Sequence, residues 1–350
     1  MKIFAYNLPA FHRIPENDKW WGDGFTEWDN VNNGKPLFKN HCQPMHPLEG
    51  EYDLSKIDAV KHQTDLAKQY GVDGFVYYHY WFNGKKIFEK PLELLRDNKD
   101  INIEYCFCWA NESWTRSWDG KEKEILLRQT FGGMEDWKSH IDYLMTFFKD
   151  DRYLKINNMP VLIIYSACKI EKFDEMIIFW TNELKKMGYD GIYLIESINS
   201  FNSNVYSKLT NAVTEFEPMY SLKYEISPFV KSYRLFKKKT HSLEKISYDY
   251  TWKLLLKRKR KYNGLPIYPG LFVSWDNTPR KGKKGLVITE SSPQKFEKFF
   301  ELLKNNNRTD ESKNIYFINA WNEWGEGAVL EPTDKYRFEF LDAIKRIKEK

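Results

Sequence analysis

No apolar run in this sequence approaches the ~18 residues that a membrane-spanning helix needs, and no Pro/Gly/Ser-rich stretch divides it into linked domains. Cysteine is scarce: Cys42, Cys106, Cys108 and Cys168 are the only four. Their spacing matches no zinc site and His-Glu-x-x-His is absent, so no metal and no cofactor are expected. Thiols so few and so placed read as reduced and buried, the usage of a cytosolic protein. No Gly-x-Gly-x-x-Gly follows a strand-like run, which disfavours an open dinucleotide-binding sheet. Asp-x-Asp, the pair that holds a divalent ion on a nucleotide-sugar diphosphate, occurs nowhere. The first strand-like run starts at Lys2, which leaves no room for a cleaved leader and sets the expected location as cytoplasmic.

What the chain has in plenty is aromatic surface. It carries 24 Phe, 22 Tyr and 13 Trp, 17% of its 350 residues. Most belong in a core, yet aromatic faces also stack on the C–H faces of sugars. A hydrophobic share of 42% and a charged share of 29% describe a globular chain with a sizeable core. The net charge of +5 is uneven: residues 223–261 carry 13 Lys/Arg against three acids, a local +10, so the remainder carries −5.

Eight strand-like runs recur, at 2–7, 74–81, 102–110, 160–167, 191–198, 212–218, 267–275 and 314–321. Several are nearly continuous in apolar residues, as strands buried on both faces of a parallel sheet are. Helix-like segments lie between them, among them 53–70 and 171–187, which end at Gly71 and Gly188, and then 293–305 and 335–350. This alternation predicts one (β/α)8 barrel over residues 1–350, with a basic helical insertion at about 221–262. The segments 9–50 and 111–133 are long enough to be functional loops on its upper face.

A barrel of this kind places its site at the C-terminal ends of its strands. Those ends carry Tyr6; Tyr78, His79 and Trp81; Trp109, Asn111 and Glu112; Tyr165; Glu217; Trp275 and Asp276; and Trp321, Asn322, Glu323 and Glu326. Carboxylates, amides and rings converge there with few cations, which suits a neutral polyhydroxylated substrate better than a phosphate. Glycoside chemistry needs two carboxyl groups, one kept protonated and one ionised. The segment Trp321-Asn-Glu-Trp-Gly-Glu-Gly327 supplies two at the end of the last strand, so Glu323 and Glu326 are the catalytic candidates. The other residues named are substrate-binding candidates.

Several motifs in order along nearly the whole chain carry a family resemblance. Trp20-Trp-Gly-Asp-Gly-Phe-Thr-Glu-Trp28, Gly74-Phe-Val-Tyr-Tyr-His-Tyr-Trp-Phe-Asn-Gly84, Cys108-Trp-Ala-Asn-Glu-Ser-Trp-Thr115, Trp321 through Gly327, and Glu331-Pro332 are among them. Together they resemble the WbsX-type family of polysaccharide-locus proteins, often labelled glycosyltransferases, which look like relatives of family 99 glycoside hydrolases. The resemblance implies an endo-α-mannosidase-like barrel that retains anomeric configuration. Glu323 would assist the sugar's own 2-hydroxyl as nucleophile, and Glu326 would serve as acid and then base. Tyr6 would line the reactive subsite, Glu112 would match an acidic residue after the third strand, and Pro269-Gly270 with Trp275-Asp276 a segment near the site. Two departures stand out. Those hydrolases commonly have His between the Trp and the second Glu, where this chain has Gly325, and Asn7-Leu8-Pro9 replaces their Tyr/Trp pattern after the first strand.

Three functions remain in play on these residues. The first is cleavage or transfer at an α-glycosidic, mannoside-like bond in surface polysaccharide (O-antigen or capsule) metabolism. The others are nucleotide-sugar-dependent transfer and glycan binding by a dead site. The expected partner is an oligo- or polysaccharide, with lipid-linked forms included, and not nucleic acid. The basic segment 223–261 reads as an exposed helix with a solvated face, as a dock for the inner face of an anionic membrane, or as a contact for a lipid-diphosphate-linked glycan.

Overall fold

The computed structural model describes residues 1–116, 121–259, 262, 264–306 and 315–350. Parts of the expected loop 111–133, Arg260 and Lys261 of the basic run, and Asn314 at the start of the last expected strand lie outside them. Eight parallel strands form a ring: β1 (Lys2–Asn7), β2 (Gly74–Phe82), β3 (Glu104–Trp109), β4 (Met159–Ile164), β5 (Tyr193–Ile198), β6 (Ala212–Glu215), β7 (267–272) and β8 (Ile315–Asn319). Each pairs with the next in sequence, and β8 pairs back onto β1 with Ala5 opposite Ile318. Strands buried by helices outside and by one another inside need no polar face, which is why their sequences are nearly unbroken in apolar residues.

The seventh strand closes the ring in two pieces. Ile267–Tyr268 pairs with β6, and Gly270–Phe272 pairs with β8. Pro269 sits at the changeover. It has no N–H to give a ladder, but its carbonyl still accepts from Phe317 N at 3.0 Å. A Cβ at Gly270 would overlap the backbone carbonyl of Glu215, so only glycine lets β7 come this close to β6.

Among the described residues twelve helices complete the alternation. α1 (Pro15–Trp21) and α2 (Glu27–Asn32) lie in the long segment after β1, followed by α3 (Ile57–Gln69). α4 (Lys90–Asp97), α5 (Met134–Phe148) and α6 (Phe173–Lys186) follow β2, β3 and β4. No helix separates β5 from β6. Between β6 and β7 come α7 (Met219–Tyr224), α8 (Pro228–Lys239) and α9 (Tyr248–Lys257); then α10 (Thr278–Lys281), α11 (Pro293–Asn306) and α12 (Glu339–Glu349). A Thr26/Asp29 capping box starts α2. The Lys348 ammonium on α12 meets Asp73, just ahead of β2, at 2.6 Å and ties the last helix under the first strands.

Three expectations are corrected. The helix expected over 53–70 begins only at Ile57, because the Asp53 carboxylate caps a turn by accepting from Ser55 N at 2.8 Å. The helix expected from 335 begins at Glu339, since Thr333 and Arg337 bond to each other in a turn first. Cys106 and Cys108 are buried inside the barrel, but Cys168, expected buried, is exposed. Among the described residues no helix is long and apolar enough to cross a membrane.

Candidate active site

At the C-terminal end of β8 the chain makes a small antiparallel clasp, Asn322–Glu323 against Ala328–Val329, around the tight turn Trp324–Glu326. Gly327 leaves that turn at φ +60°, a left-handed conformation that costs glycine little. Residues on one side of the clasp hold it to the barrel. The indoles of Trp321 and Trp324 each donate to Glu331 at 2.9 Å, and Tyr52 and Gln63 donate to the same carboxylate at 2.7 Å. Burial pushes Glu331 up to about 7 against the pull of those four donors. The Asn322 amide brackets Leu8, accepting from its N–H at 2.7 Å and donating to its carbonyl at 3.0 Å. The other side of the clasp presents Glu323 and Glu326 to a cavity of about 970 Å³.

One guanidinium sits between the two carboxylates. Arg280, from α10, places Nη1 3.1 Å from Glu326 and Nη2 3.4 Å from Glu323, and it meets the fully buried Glu27 of α2 at 2.6 Å. Gly325 makes room for this arrangement: a Cβ there would run into the Glu27 carboxylate and the Arg280 guanidinium. The space beside Gly325 is therefore filled by side chains from two other segments. Burial is the largest influence on both acids and raises both, and Arg280 opposes it. Glu323 lies deeper, with 9% of its side chain exposed against 28% for Glu326, and is pushed up to about 8. The expectation of few cations at the strand ends is corrected by Arg280, which a loop after β7 delivers.

The remaining walls follow strand periodicity. Side chains alternate along β2, so Tyr78 and Tyr80 face the cavity while His79 and Trp81 face α5. His79 bonds His140 at 2.8 Å, and burial lowers both imidazoles and keeps them neutral. Trp81 stacks on His140 and donates to Asp136, and Trp109 packs edge-on against the same imidazole. Tyr165, Trp275 and Glu112 join Tyr78 on the wall, with Glu112 paired to Lys169. Asn111 also borders the cavity, but its amide is engaged both ways with the Ser166 backbone at 2.8 Å. Tyr6 lies one layer below, stacked under Tyr78 at 5.6 Å.

Of the candidates named from sequence, the structure thus brings Tyr78, Asn111, Glu112, Tyr165, Trp275, Glu323 and Glu326 to one cavity. Asp276 stands behind it, accepting from Gln43 at 2.7 Å and held by His41 at 2.8 Å. Glu217 is sealed behind β6 with Arg258, where burial raises its pKa. Trp321 and Asn322 serve the clasp. Sequence reasoning missed Arg280 and Glu27. Glu27 lies inside a motif that carries the family resemblance, but Arg280 has no local signal beyond its place just after Trp275-Asp276.

Residues 3–344 match the family model described as Glycosyltransferase WbsX. The chain is 32% identical over 349 residues to the uncharacterized protein WxcX of Xanthomonas campestris pv. campestris, in two strains, covering 98% of this chain and 49% of that protein. It therefore spans about half the length of the curated relatives it matches. Among solved structures it resembles a glycoside hydrolase-like protein (TM-score 0.59, 14% identity, 99% of this chain and 93% of that one). It also resembles the GH99 endo-alpha-mannosidase from Bacteroides thetaiotaomicron (TM-score 0.56, 12% identity, 99% and 96%). At such identities the likeness is one of fold.

Proposed function

Given that the chain belongs to the WbsX glycosyltransferase family, we propose that it is a carbohydrate-active enzyme that cleaves or transfers at an α-glycosidic, mannoside-like bond in surface polysaccharide metabolism. The observation that carries this reading is the Glu323–Glu326 pair, both raised by burial and bridged by one guanidinium, on the wall of an aromatic-lined cavity. Like charges crowded in a dry pocket cannot both ionise easily, so one carboxyl keeps a proton while the other acts as base. In the roles implied by the family resemblance, Glu326, the more open acid, protonates the departing oxygen. Glu323, the deeper of the two, assists the 2-hydroxyl as base; burial pushes it up to about 8 in the free enzyme, so its proton must pass to Glu326 before the sugar's hydroxyl is engaged. Tyr78, Tyr165 and Trp275 offer ring faces and edges to the sugar, and the Trp275 indole N–H has no partner among the described residues.

A second reading, nucleotide-sugar-dependent transfer, is favoured by the lysine-lined cleft that adjoins the cavity. A product assay separates the two. α-Linked oligosaccharides are incubated with chelator, and nucleotide sugars with divalent metal, each with a Glu326→Gln control. Cleavage in chelator, reduced ~10²–10⁴-fold by Glu326→Gln, is the expected result; transfer that needs a nucleotide sugar, with no cleavage, overturns it. The roles separate on an activated fluoride glycoside, whose leaving group needs no proton. Glu326→Gln should retain its first step there, and Glu323→Gln should not.

We take residues 1–350 as one catalytic barrel with an insertion at 221–262, placed in the cytoplasm with peripheral contact at the inner membrane face. α8 supports that contact: Phe229 is 84% exposed, Leu235 and Phe236 are exposed beside it, and Lys237, Lys238 and Lys239 end the helix. Sedimentation with anionic vesicles that is lost at raised salt is expected; no sedimentation at low salt contradicts it.

A further inference from the structure

A second cavity, of about 890 Å³, opens beside the first. The two share Phe201, Met219, Asn277 and Arg280 in their walls, so one molecule can reach from Glu326 into both. Their linings differ sharply. Lys223, Lys237 and Lys238 from the segment between β6 and β7 converge here with Lys283 and Lys284 from the turn after α10. Its one carboxylate, Glu244, is already matched by Arg234 at 2.6 Å. No described carboxylate forms an ion pair with any of those five lysines, and Lys237 rests only over the ring of Tyr233.

Like charges gathered around a concave space repel one another, and low-dielectric walls focus their field into it. Neutral sugar hydroxyls gain little from such a field, whereas an anion with several oxygens satisfies many ammonium donors at once. The volume is too large for a single phosphate. We propose that this cleft is the subsite for a diphosphate ester carried by the glycan whose sugar occupies the first cavity. The proposal rests on the glycoside reading of that cavity. Lysines from two separate loops hold the diphosphate, and Arg280 stands at the junction. The ester continues outward, as a lipid or as a nucleoside.

Calorimetric titration of the full chain with inorganic pyrophosphate tests this. Wild type should bind it, more weakly as salt rises. K237Q/K238Q/K283Q/K284Q should lose roughly tenfold or more in affinity, as expected when four charge-assisted contacts go. K149Q/K172Q/K185Q/K345Q, with the same change in net charge elsewhere, should bind as wild type does. Thermal melts of both variants establish that they fold. No binding by wild type, or equal loss in the two quadruple variants, overturns the subsite. Titration with a nucleoside diphosphate and with a short-chain polyprenyl diphosphate then names the source: the tail that tightens binding over pyrophosphate is the one the cleft accommodates, and equal affinities mean that the diphosphate alone is recognised. Glu326→Gln keeps the two claims apart. It should still bind pyrophosphate, so glycan turnover that survives it defeats the glycoside reading and leaves the subsite standing.

Discussion

Arg258, behind β6, and Arg280, at the mouth of the barrel, each enter the interior to meet three glutamates. Arg258 is 4% exposed and pairs with Glu215 at 2.9 Å and with Glu217 and Glu225 at 2.5 Å, while the Ser221 hydroxyl accepts from it at 2.8 Å and Tyr220 covers its face. Arg280 holds Glu27 tightly; its contacts to Glu326 and Glu323 lengthen to 3.1 and 3.4 Å, and those two carboxylates border open space. Nearly the same set of charges is closed in one place and left unfinished in the other. The closed set is structural, because the guanidinium holds all three carboxylates within 3 Å. An unfinished one keeps carboxyl groups raised and reachable, which is what acid–base chemistry requires.

The largest effect expected from this contrast is on folding. Arg258→Met strands three carboxylates behind β6 and should cost about 3–5 kcal/mol, read from the denaturant midpoint. Turnover per folded molecule should change little, and a mainly catalytic defect would erase the distinction. Arg280→Met also leaves the buried Glu27 unmatched and should cost stability too; what sets it apart is a defect in turnover per folded molecule. Removing the one influence that lowers both Glu323 and Glu326 raises them further, so turnover at neutral pH should fall ~10²-fold and the pH–rate profile should move to higher pH. An unshifted profile would mean that Arg280 does not set those protonation states.

The comparison sharpens further through pH. Glu323 is raised from about 4.5 to about 8 on folding. The native state therefore holds a proton that the unfolded chain releases, and the stability this gives is full below about pH 4.5 and lost as pH rises toward 8. Glu323→Gln does not titrate. Its stability relative to wild type should climb between pH 5 and 8, by at most ~1.4 kcal/mol per pH unit. A difference that stays flat with pH would place Glu323 near its ordinary value.

The barrel was legible because buried parallel strands are written as apolar runs, and seven of the eight expected runs match a strand to within three residues at each end. The seventh, read as continuous over 267–275, changes partners at Pro269, a residue that already argued against an unbroken ladder. Glu323 and Glu326 were legible because they leave an apolar strand together between tryptophans. Binding residues were harder to read. In Tyr77-Tyr-His-Tyr-Trp81 every side chain is aromatic, so composition hides the alternation that turns Tyr78 and Tyr80 inward and His79 and Trp81 outward. The basic run was misleading in one respect: Arg258 is not a surface cation at all. Arg280 could not be found, because its partners Glu27 and Glu323 lie far from it along the chain and only the fold brings them together.

The crowding at Gly325 makes the clasp and the loop after β7 a single fitted joint. Any side chain there would press on the Glu27 carboxylate and the Arg280 guanidinium together. A residue with no functional group of its own thus governs how closely α10 seats against the turn, and through that contact the setting of both acids at once.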